Sequence, residues 1–258
     1  MMNAARKAAR GLIRDFGEVE NLQVSMKGLA DFVSSADLKT EKLLCQELSK
    51  ARPGYGFLLE EGGAVAGSDT SNRWIIDPID GTTNFLHGIP HFCISIALER
   101  DGEVIAGVVY EPIHDEMFHA EKGAGAYLNE RRLRVSARRK LEEAVFATGI
   151  PFKGRPGHEQ FVADATQVMA TCAGIRRFGS AALDLAYVAA GRYEGYWESG
   201  IRPWDIAAGI VLVKEAGGYV TDMDGKGEML TTGEVVAAND HLHSSILKLL
   251  NTARAAKS

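Results

Sequence analysis

The sequence predicts a layered α/β protein in which helices pack against two sheets. In the first half, the strand-like runs Phe92–Glu99 and Glu103–Tyr110 are joined by a short Arg-Asp-Gly turn, which is typical of an antiparallel hairpin. In the second half, strands alternate with helices, as they do in α/β layers. The stretch Arg134–Glu143 between the two halves is charged and has no apolar pattern. We therefore predict two subdomains, residues 1–140 and residues 141–258.

The N-terminal elements follow from the spacing of apolar side chains. Apolar residues recur at helical spacing over residues 3–16, which predicts an amphipathic helix. The apolar pattern of residues 17–36 is less regular and the segment includes Gly28, so we predict a mobile turn or a hairpin there. Asp37 comes immediately before the helical pattern of Leu38–Leu48, so its side chain is predicted to cap that helix.

The remaining elements are predicted in the same way, from apolar runs bounded by glycine, proline or charged residues. Further strands are expected at Gly56–Leu59, Met117–Glu121, Ala126–Leu128, Ala144–Thr148, Ile175–Phe178, Tyr193–Trp197, Tyr219–Thr221 and Val235–Ala238. Further helices are expected at Glu159–Thr171, from Gly179-Ser180-Ala181-Ala182 through Ala190, at Ile206–Ala216 and at Asp240–Leu250.

Composition and charge narrow the classes of function. The chain has 258 residues and a formal net charge of −5, which does not favour a nucleic-acid-binding face. Cys45, Cys93 and Cys172 are scattered, so neither a disulfide framework nor a zinc site is predicted, and a reducing compartment fits. The N-terminus lacks the apolar core of a signal peptide, and no run reaches the ~20 apolar residues of a membrane span. We expect a cytoplasmic protein that does not enter a membrane.

The stretch Trp74–Phe85, which reads WIIDPIDGTTNF, carries the strongest chemical signal. Pro78 has no N–H, so the strand is predicted to leave the sheet there and to hold Asp77 and Asp80 at its edge. Paired carboxylates suit a hard cation such as Mg²⁺, although aspartates in a turn also cap local backbone N–H groups. If a helix begins after Gly81, its first N–H groups could bind an anion. Together these features favour a metal-assisted phosphate site.

Further acids stand at the ends of predicted elements. Pro203 suits the first position of a helix, which puts Asp205 in the first turn. The helix dipole stabilises a carboxylate there by about 0.3–1 kcal/mol, which is a sufficient structural reason for it. Glu198 ends a strand, and Glu60 and Glu61 end another. A solvated strand end is the structural alternative for these glutamates.

The run DPIDGTTNF resembles the signature of the inositol monophosphatase family of Mg²⁺-dependent phosphatases. The run PWDIAAG is similar to the family's second signature, W-D-x-A-A-G. The run SSADLKTEKLL is similar to its T-x-A-D-x-x-x-E segment, and the acids after Leu59 are similar to its G-E-E segment. Gly179-Ser180-Ala181 is similar to its G-[ST]-A stretch. The resemblance covers residues 30–240 and implies an alternating αβαβα sandwich.

The resemblance also implies roles for individual residues. The implied metal ligands, which would hold two or three Mg²⁺ ions, are Glu60, Asp77, the backbone carbonyl of Ile79, Asp80 and Asp205. The implied catalytic residues are Glu60, Thr82 and Asp37, with Asp37 pairing with Thr82 to activate a water. The implied substrate-binding residues are Asp80, Gly81, Thr82, Thr83, Gly179, Ala181, Glu198 and Asp205. Leu59 stands where the family usually has glycine, which leaves open whether Glu60 or Glu61 is the ligand.

The reaction that the resemblance implies is hydrolysis of myo-inositol 1-phosphate, or of a similar polyol phosphate, by a lithium-sensitive homodimer. Relatives with the same metal core cleave fructose 1,6-bisphosphate, 3′-phosphoadenosine 5′-phosphate or histidinol phosphate, and these substrates remain alternatives. Bacterial members also act with the transcription machinery on ribosomal RNA synthesis. The basic run Arg131–Lys140 is the candidate surface for that role, and a solvated connector is its simpler interpretation.

Overall fold

The chain folds into five layers that alternate helices and sheets. The computed structural model describes residues 1–18, 24–27 and 31–255. An outer helix pair covers an eight-stranded sheet, an inner helix pair separates this sheet from a five-stranded sheet, and a second outer helix pair closes the stack. The predicted layered αβαβα fold is thereby confirmed.

The first outer layer consists of α1 (Met2–Gly17) and α2 (Ser35–Ala51). Between them, β1 (Val24–Lys27) and β2 (Asp31–Ser34) pair as an antiparallel hairpin, which confirms that prediction for the strands, whereas Gly28 lies outside the described residues. The predicted capping role of Asp37 is wrong. Because α2 already begins at Ser35, Asp37 lies inside the first helical turn and its side chain is buried.

The first sheet is almost entirely antiparallel, and only β3 and β5 run parallel to each other. Its strands stand in the order β10-β9-β8-β7-β6-β5-β3-β4. Asp101 and Gly102 have positive φ angles of 50° and 82°, as the predicted hairpin turn between β6 and β7 requires. The strands are β3 (Tyr55–Leu59), β4 (Gly63–Val65), β5 (Asp69–Asp80), β6 (Cys93–Arg100), β7 (Glu103–Glu111), β8 (Glu116–Glu121), β9 (Gly125–Leu128) and β10 (Arg131–Arg132).

Strand β5 continues past Pro78, so the prediction that it leaves the sheet at this proline is wrong. Asp77 pairs with Ser95 and Asp80 pairs with Cys93, which leaves two residues of β5 opposite one residue of β6. Such a bulge removes Pro78 from the hydrogen-bond ladder, so the missing N–H costs no ladder bond. The short helix α3 (Thr82–Leu86) follows directly.

The second half builds the other three layers. Its sheet has the order β12-β11-β13-β15-β14, in which β11 is parallel to β12 and β13, and β15 is antiparallel to its neighbours. The strands are β11 (Val145–Thr148), β12 (Gly174–Arg176), β13 (Gly195–Ser199), β14 (Tyr219–Thr221) and β15 (Glu234–Ala238). The helices are α4 (His158–Met169), α5 (Ala181–Ala189), α6 (Pro203–Glu215), α7 (Met229–Thr232) and α8 (His243–Ala255).

The inner helices α5 and α6 touch both sheets. One apolar cluster joins Ile75 and Val109 of the first sheet to Leu185, Leu212 and Val235 of the second half. The two halves therefore share a core, and the boundary near residue 140 stays a proposal. Within the described residues, no helix is long and apolar enough to cross a membrane.

Glycines let α6 approach its neighbours closely. A Cβ added at Gly107 of β7 would lie 2.7 Å from the carbonyl oxygen of Ala208. A Cβ added at Gly209 would lie 2.5 Å from Cβ of Leu185 on α5. This close packing brings the N-terminus of α6 to the end of β5, where the aspartates stand.

We expect Gly209→Ala to destabilise the protein by about 1–3 kcal/mol, because the new methyl group overpacks against Leu185. Urea unfolding at equilibrium measures the effect. Gly11→Ala is the matched control, since nothing lies within 4 Å of its added Cβ in the helix α1. Alanine there should stabilise the protein by about 0.5–1 kcal/mol. Equal stabilities for the two variants would contradict the packing of α5 on α6.

Candidate metal and substrate site

Three aspartates from distant parts of the chain converge at one point. The bulge of β5 presents Asp77 and Asp80, and the first turn of α6 presents Asp205. Carboxylate oxygens of the three residues all lie within 4.8 Å of one another. Asp77 and Asp80 are buried, whereas Asp205 is partly buried. Three of the four acids predicted as metal ligands are thus brought together in this trio.

One oxygen of each aspartate is held by the protein. Oδ1 of Asp77 accepts a hydrogen bond of 2.9 Å from the Ile79 N–H, and Oδ2 of Asp205 accepts one of 2.8 Å from the Arg202 N–H. Oδ2 of Asp80 accepts bonds from the Ser180 hydroxyl at 2.6 Å and from a backbone N–H of α5, that of Ala182, at 2.7 Å. These bonds fix the orientation of the second oxygen of each carboxylate.

The fourth predicted acid, Glu60, follows β3 and reaches the trio through Asp77. The carboxyl groups of Glu60 and Asp77 lie close enough for each to affect the pKa of the other. Glu61 is held elsewhere by its backbone, because its N–H donates to Oε2 of Glu41 at 2.9 Å. The geometry therefore favours Glu60 over Glu61 as the glutamate that faces the aspartates.

Burial raises the pKa values of all four acids, and the charges of neighbouring acids add to the rise for Glu60, Asp77 and Asp205. Burial, with the nearby charge of Asp37 next in size, raises the pKa of Glu60 to about 8. Burial raises the pKa of Asp80 to about 6, and the hydrogen bond from Ser180 limits the rise. Burial also raises the pKa values of Asp77 and Asp205 well above the usual range.

A divalent cation fits this set of residues. The clustered donors are carboxylate oxygens, and hard cations such as Mg²⁺ prefer oxygen ligands. Clustered carboxylates repel one another unless a positive charge lies between them. The pKa values of Asp77 and Asp205 are raised first by burial and then by this repulsion.

The hydroxyl of Thr82 does not donate to Asp37. Oγ1 of Thr82 donates instead to the carbonyl of Ile79 at 2.9 Å, so the hydroxyl lies beside a predicted metal ligand. Asp37 is close enough to Glu60 for its charge to raise the glutamate's pKa, which puts it at the same site. The pairing of Asp37 with Thr82 stays a prediction.

The loop that begins with Gly81 is fixed by Asn84, whose positioning role the sequence analysis missed. Gly81 has a φ of 97°, and α3 begins immediately after it. The side-chain N–H₂ group of Asn84 donates to the carbonyls of His91 at 2.8 Å and Phe178 at 2.7 Å. Asn84 thus ties this loop, with its exposed Thr83, to the segment that leads into Gly179.

The predicted substrate-binding residues of the second half border the same site. Gly179 has a φ of 87° and precedes Ser180, and Ala181 is the first residue of α5. Glu198 lies on β13, and its carboxylate accepts a hydrogen bond from the Tyr196 hydroxyl. Burial raises the pKa of Glu198 to about 7, and the charge of Asp80 adds to the rise, so the two acids lie close enough to interact.

Ser180 and Asp184 are two further residues at this site that the sequence analysis did not assign. Ser180 is buried, and its hydroxyl donates a hydrogen bond of 2.6 Å to Asp80. A small hydroxyl residue just before a helix was the available signal, but a capping role explains such a residue equally well. Asp184 is buried in α5, and burial, with Glu198 and Asp80 nearby, raises its pKa well above the usual range. An acid in the first turn of a helix gives no such signal in the sequence.

Comparison with known proteins gives one consistent result. The model of the inositol monophosphatase family matches residues 1–255. A protein of Mesorhizobium japonicum named inositol-1-monophosphatase is 59% identical over 96% of this chain and 93% of its own length. A protein of Escherichia coli named Nus factor SuhB is 42% identical over 95% of this chain and 92% of its own length.

Solved structures agree with the sequence relatives. The crystal structure of the extragenic suppressor protein SuhB from Bartonella henselae is 56% identical, with a TM-score of 0.95 over 97% of this chain and 96% of that one. The inositol monophosphatase TM1415 of Thermotoga maritima is 37% identical, with a TM-score of 0.89 over 99% of this chain and 97% of that one.

We expect the metal-free protein to lose stability as the pH rises from about 4.5 to about 8. The folded state keeps the proton of Glu60 up to a pKa of about 8, whereas the unfolded chain releases it near 4.5. The folded state therefore binds more protons in this window, and rising pH favours unfolding. Melting temperatures measured in a chelator at several pH values test this expectation.

Glu60→Gln is the control for that measurement and should make the loss of stability with rising pH smaller, because glutamine does not titrate whereas Asp77, Asp80 and Asp205 still do. Added Mg²⁺ should raise the melting temperature most at the upper end of the window, where the carboxylates are charged. A flat profile for the unmodified protein, or an unchanged profile for Glu60→Gln, would contradict the assigned electrostatics.

Proposed function

The chain belongs to the inositol monophosphatase family, and from this membership we propose that it hydrolyses the phosphate monoester of a polyol, with myo-inositol 1-phosphate as the substrate and Mg²⁺ as the metal. The observation that carries the proposal is the convergence of Asp77, Asp80 and Asp205 beside Glu198. A trio of carboxylates suits metal-assisted phosphate chemistry, and a further carboxylate next to it suits an alcohol with several hydroxyl groups. The names of the relatives support the same substrate.

The residues that would hold two or three Mg²⁺ ions are Glu60, Asp77, Asp80, Asp205 and the carbonyl of Ile79. Bound there, the cations would supply Lewis-acid activation of a water molecule and would neutralise the charge of the phosphate. The protein's own contribution is the fixed geometry of the ligands, which the N–H groups of Ile79, Ala182 and Arg202 secure.

The residues around the start of α3 would position the water and the phosphate. The hydroxyl of Thr82 and the carboxylate of Asp37, with Glu60 assisting, would orient the attacking water as acceptors and donors of hydrogen bonds. The first N–H groups of a helix have no partner within it, so those around Gly81, Thr82 and Thr83 are available to phosphate oxygens. A water that attacks phosphorus directly needs no covalent enzyme intermediate.

The alcohol side of the substrate would lie against Gly179, Ala181 and Glu198. Glycine and alanine leave room for a ring, and the carboxylate of Glu198 accepts hydrogen bonds from its hydroxyl groups. Asp205, partly exposed in the first turn of α6, would contact both a metal and a substrate hydroxyl. This arrangement distinguishes a polyol from an alcohol without neighbouring hydroxyl groups.

A homodimer, sensitivity to Li⁺ and a cytoplasmic location are also proposed, because the chain belongs to the same family.

A second function, in transcription, is proposed because some relatives are named Nus factor SuhB. Within the basic run Arg131–Lys140, which is the candidate surface for this role, Arg138 binds the fully buried Glu194 at 2.8 Å, so this arginine also has a structural partner. The phosphatase proposal has the stronger structural basis, because three aspartates from distant parts of the chain converge at one point.

A panel of phosphate esters assayed with and without Mg²⁺ tests the proposed function. We expect turnover of myo-inositol 1-phosphate to exceed turnover of fructose 1,6-bisphosphate, 3′-phosphoadenosine 5′-phosphate and histidinol phosphate, to vanish in a chelator and to fall in high Li⁺. Asp205→Asn should lower kcat by about 10²-fold or more, because loss of one ligand charge weakens the electrostatic stabilisation of the transition state.

The matched control is Asp224→Asn, since the side chain of Asp224 is 72% exposed and pairs only loosely with Lys226 at 3.6 Å. This variant should keep full activity, and circular dichroism should report a folded protein for both variants. Undiminished turnover after exhaustive chelation, or near-normal turnover of a folded Asp205→Asn protein, would refute the proposal.

A further inference from the structure

The sheet register puts Gly149 opposite Glu198. Strands β11 and β13 run parallel, with Ala147 beside Tyr196 and Thr148 beside Trp197. The hydroxyl of Thr148 donates to the carbonyl of Trp197 at 2.8 Å, which secures the ends of the two strands. Gly149 follows the last residue of β11, and Glu198 is the next residue along β13.

Gly149 leaves no room for a side chain because the carboxylate of Glu198 occupies that space. A Cβ added at Gly149 would lie 2.0 Å from the carboxyl carbon of Glu198 and 2.1 Å from each of its oxygens. Gly200, two residues beyond Glu198, differs from Gly149 in this respect, because nothing lies within 4 Å of a Cβ added at Gly200. The carboxylate thus lies flat against the backbone of Gly149.

Tyr196 holds the same carboxylate from the other side. Residues two apart on a strand share a face, so the side chains of Tyr196 and Glu198 project together. The hydroxyl of Tyr196, a fully buried residue, donates to Oε2 of Glu198. Because a buried hydroxyl needs a partner, this bond constrains both side chains.

Without this restraint, other groups would compete for the carboxylate. The guanidinium groups of Arg155 and Arg177 both lie close enough to Glu198 to lower its pKa. A freely turning carboxylate would follow these positive charges, and its oxygens would no longer have one fixed direction. The bond from Tyr196 and the flat surface of Gly149 remove that freedom.

We propose that Tyr196 and Gly149 are positioning residues that fix the carboxylate of Glu198, with Oε2 engaged by Tyr196 and Oε1 left to accept a hydrogen bond from a hydroxyl group of the substrate's alcohol. Their effect is on which phosphate ester is accepted and not on cleavage of the phosphate. The inference rests on the proposed function, because it requires a polyol phosphate as the substrate.

Kinetics of Tyr196→Phe on two substrates test the inference, since this change removes only the hydroxyl. We expect kcat/KM for myo-inositol 1-phosphate to fall about tenfold, mainly through KM, because the net loss is one hydrogen bond to a charged group. The value for p-nitrophenyl phosphate, whose alcohol has no hydroxyl neighbours, should stay within twofold. In a Glu198→Gln background, Tyr196→Phe should cost less than twofold, because the carboxylate that it orients is absent.

Tyr193→Phe is the matched control, because the ring of Tyr193 is also buried but stacks on Phe178 at 6.2 Å. It should leave both substrates unaffected. Gly149→Ala is a second variant that does not depend on the tyrosine, and it should reduce the same substrate preference by pushing the carboxylate aside. Thermal unfolding establishes that each variant is folded.

Several results would overturn the inference. Equal losses on both substrates would assign Tyr196 to the metal site or to the fold, and the absence of any loss would show that Glu198 needs no positioning. Fully additive losses in the double variant would show that the two residues act separately. If the unmodified protein fails to hydrolyse myo-inositol 1-phosphate but cleaves p-nitrophenyl phosphate, the proposed substrate is wrong, whatever the variants show.

Discussion

Repulsion among buried carboxylates is the constraint on which the rest of the site depends. Asp77, Asp80 and Asp205 lie within a few ångströms of one another, and Glu60 is close enough for its charge to raise the pKa of Asp77. Held apart from solvent, such groups keep protons that exposed acids would lose, which is why their pKa values rise. A divalent cation would relieve that repulsion, so the arrangement that destabilises the metal-free fold is the one that suits a metal.

The fold keeps these groups together through rigid elements from both halves of the chain. Asp80 is held by the start of α5, and Asp205 by the start of α6, while the bulge in β5 turns Asp77 toward them. Both helices lie between the two sheets in a shared apolar core. Close approach at Gly209 lets α5 and α6 pack tightly, so the ligands of the site are fixed by the packing of the whole molecule.

Local sequence signals predicted the layers and most of the elements, because apolar period and turn residues act over short distances. These local signals failed for residues whose structural partner is distant in the sequence. The sequence predicts that Asp37 caps a helix, but Asp37 lies within the first turn of α2. The sequence also predicts that the strand ends at Pro78, but this proline lies in a bulge of β5 opposite β6. The signal at Ser180 did not separate its role from helix capping, and Tyr196 had no signal, because the roles of both residues depend on the partners Asp80 and Glu198. The ligand candidates themselves came from family resemblance, since spacing alone cannot separate a ligand from a capping acid.

The most direct test of the central claim is the number of protons released when Mg²⁺ binds to the metal-free protein near neutral pH. Calorimetric titration in buffers of different ionisation enthalpy measures this number. Because Asp77, Asp205 and Glu60 have raised pKa values, binding should release at least one proton per chain, and Asp205→Asn should weaken binding. Binding without proton release, or undiminished binding by Asp205→Asn, would contradict the account of the site as a set of repelling acids that a cation holds together.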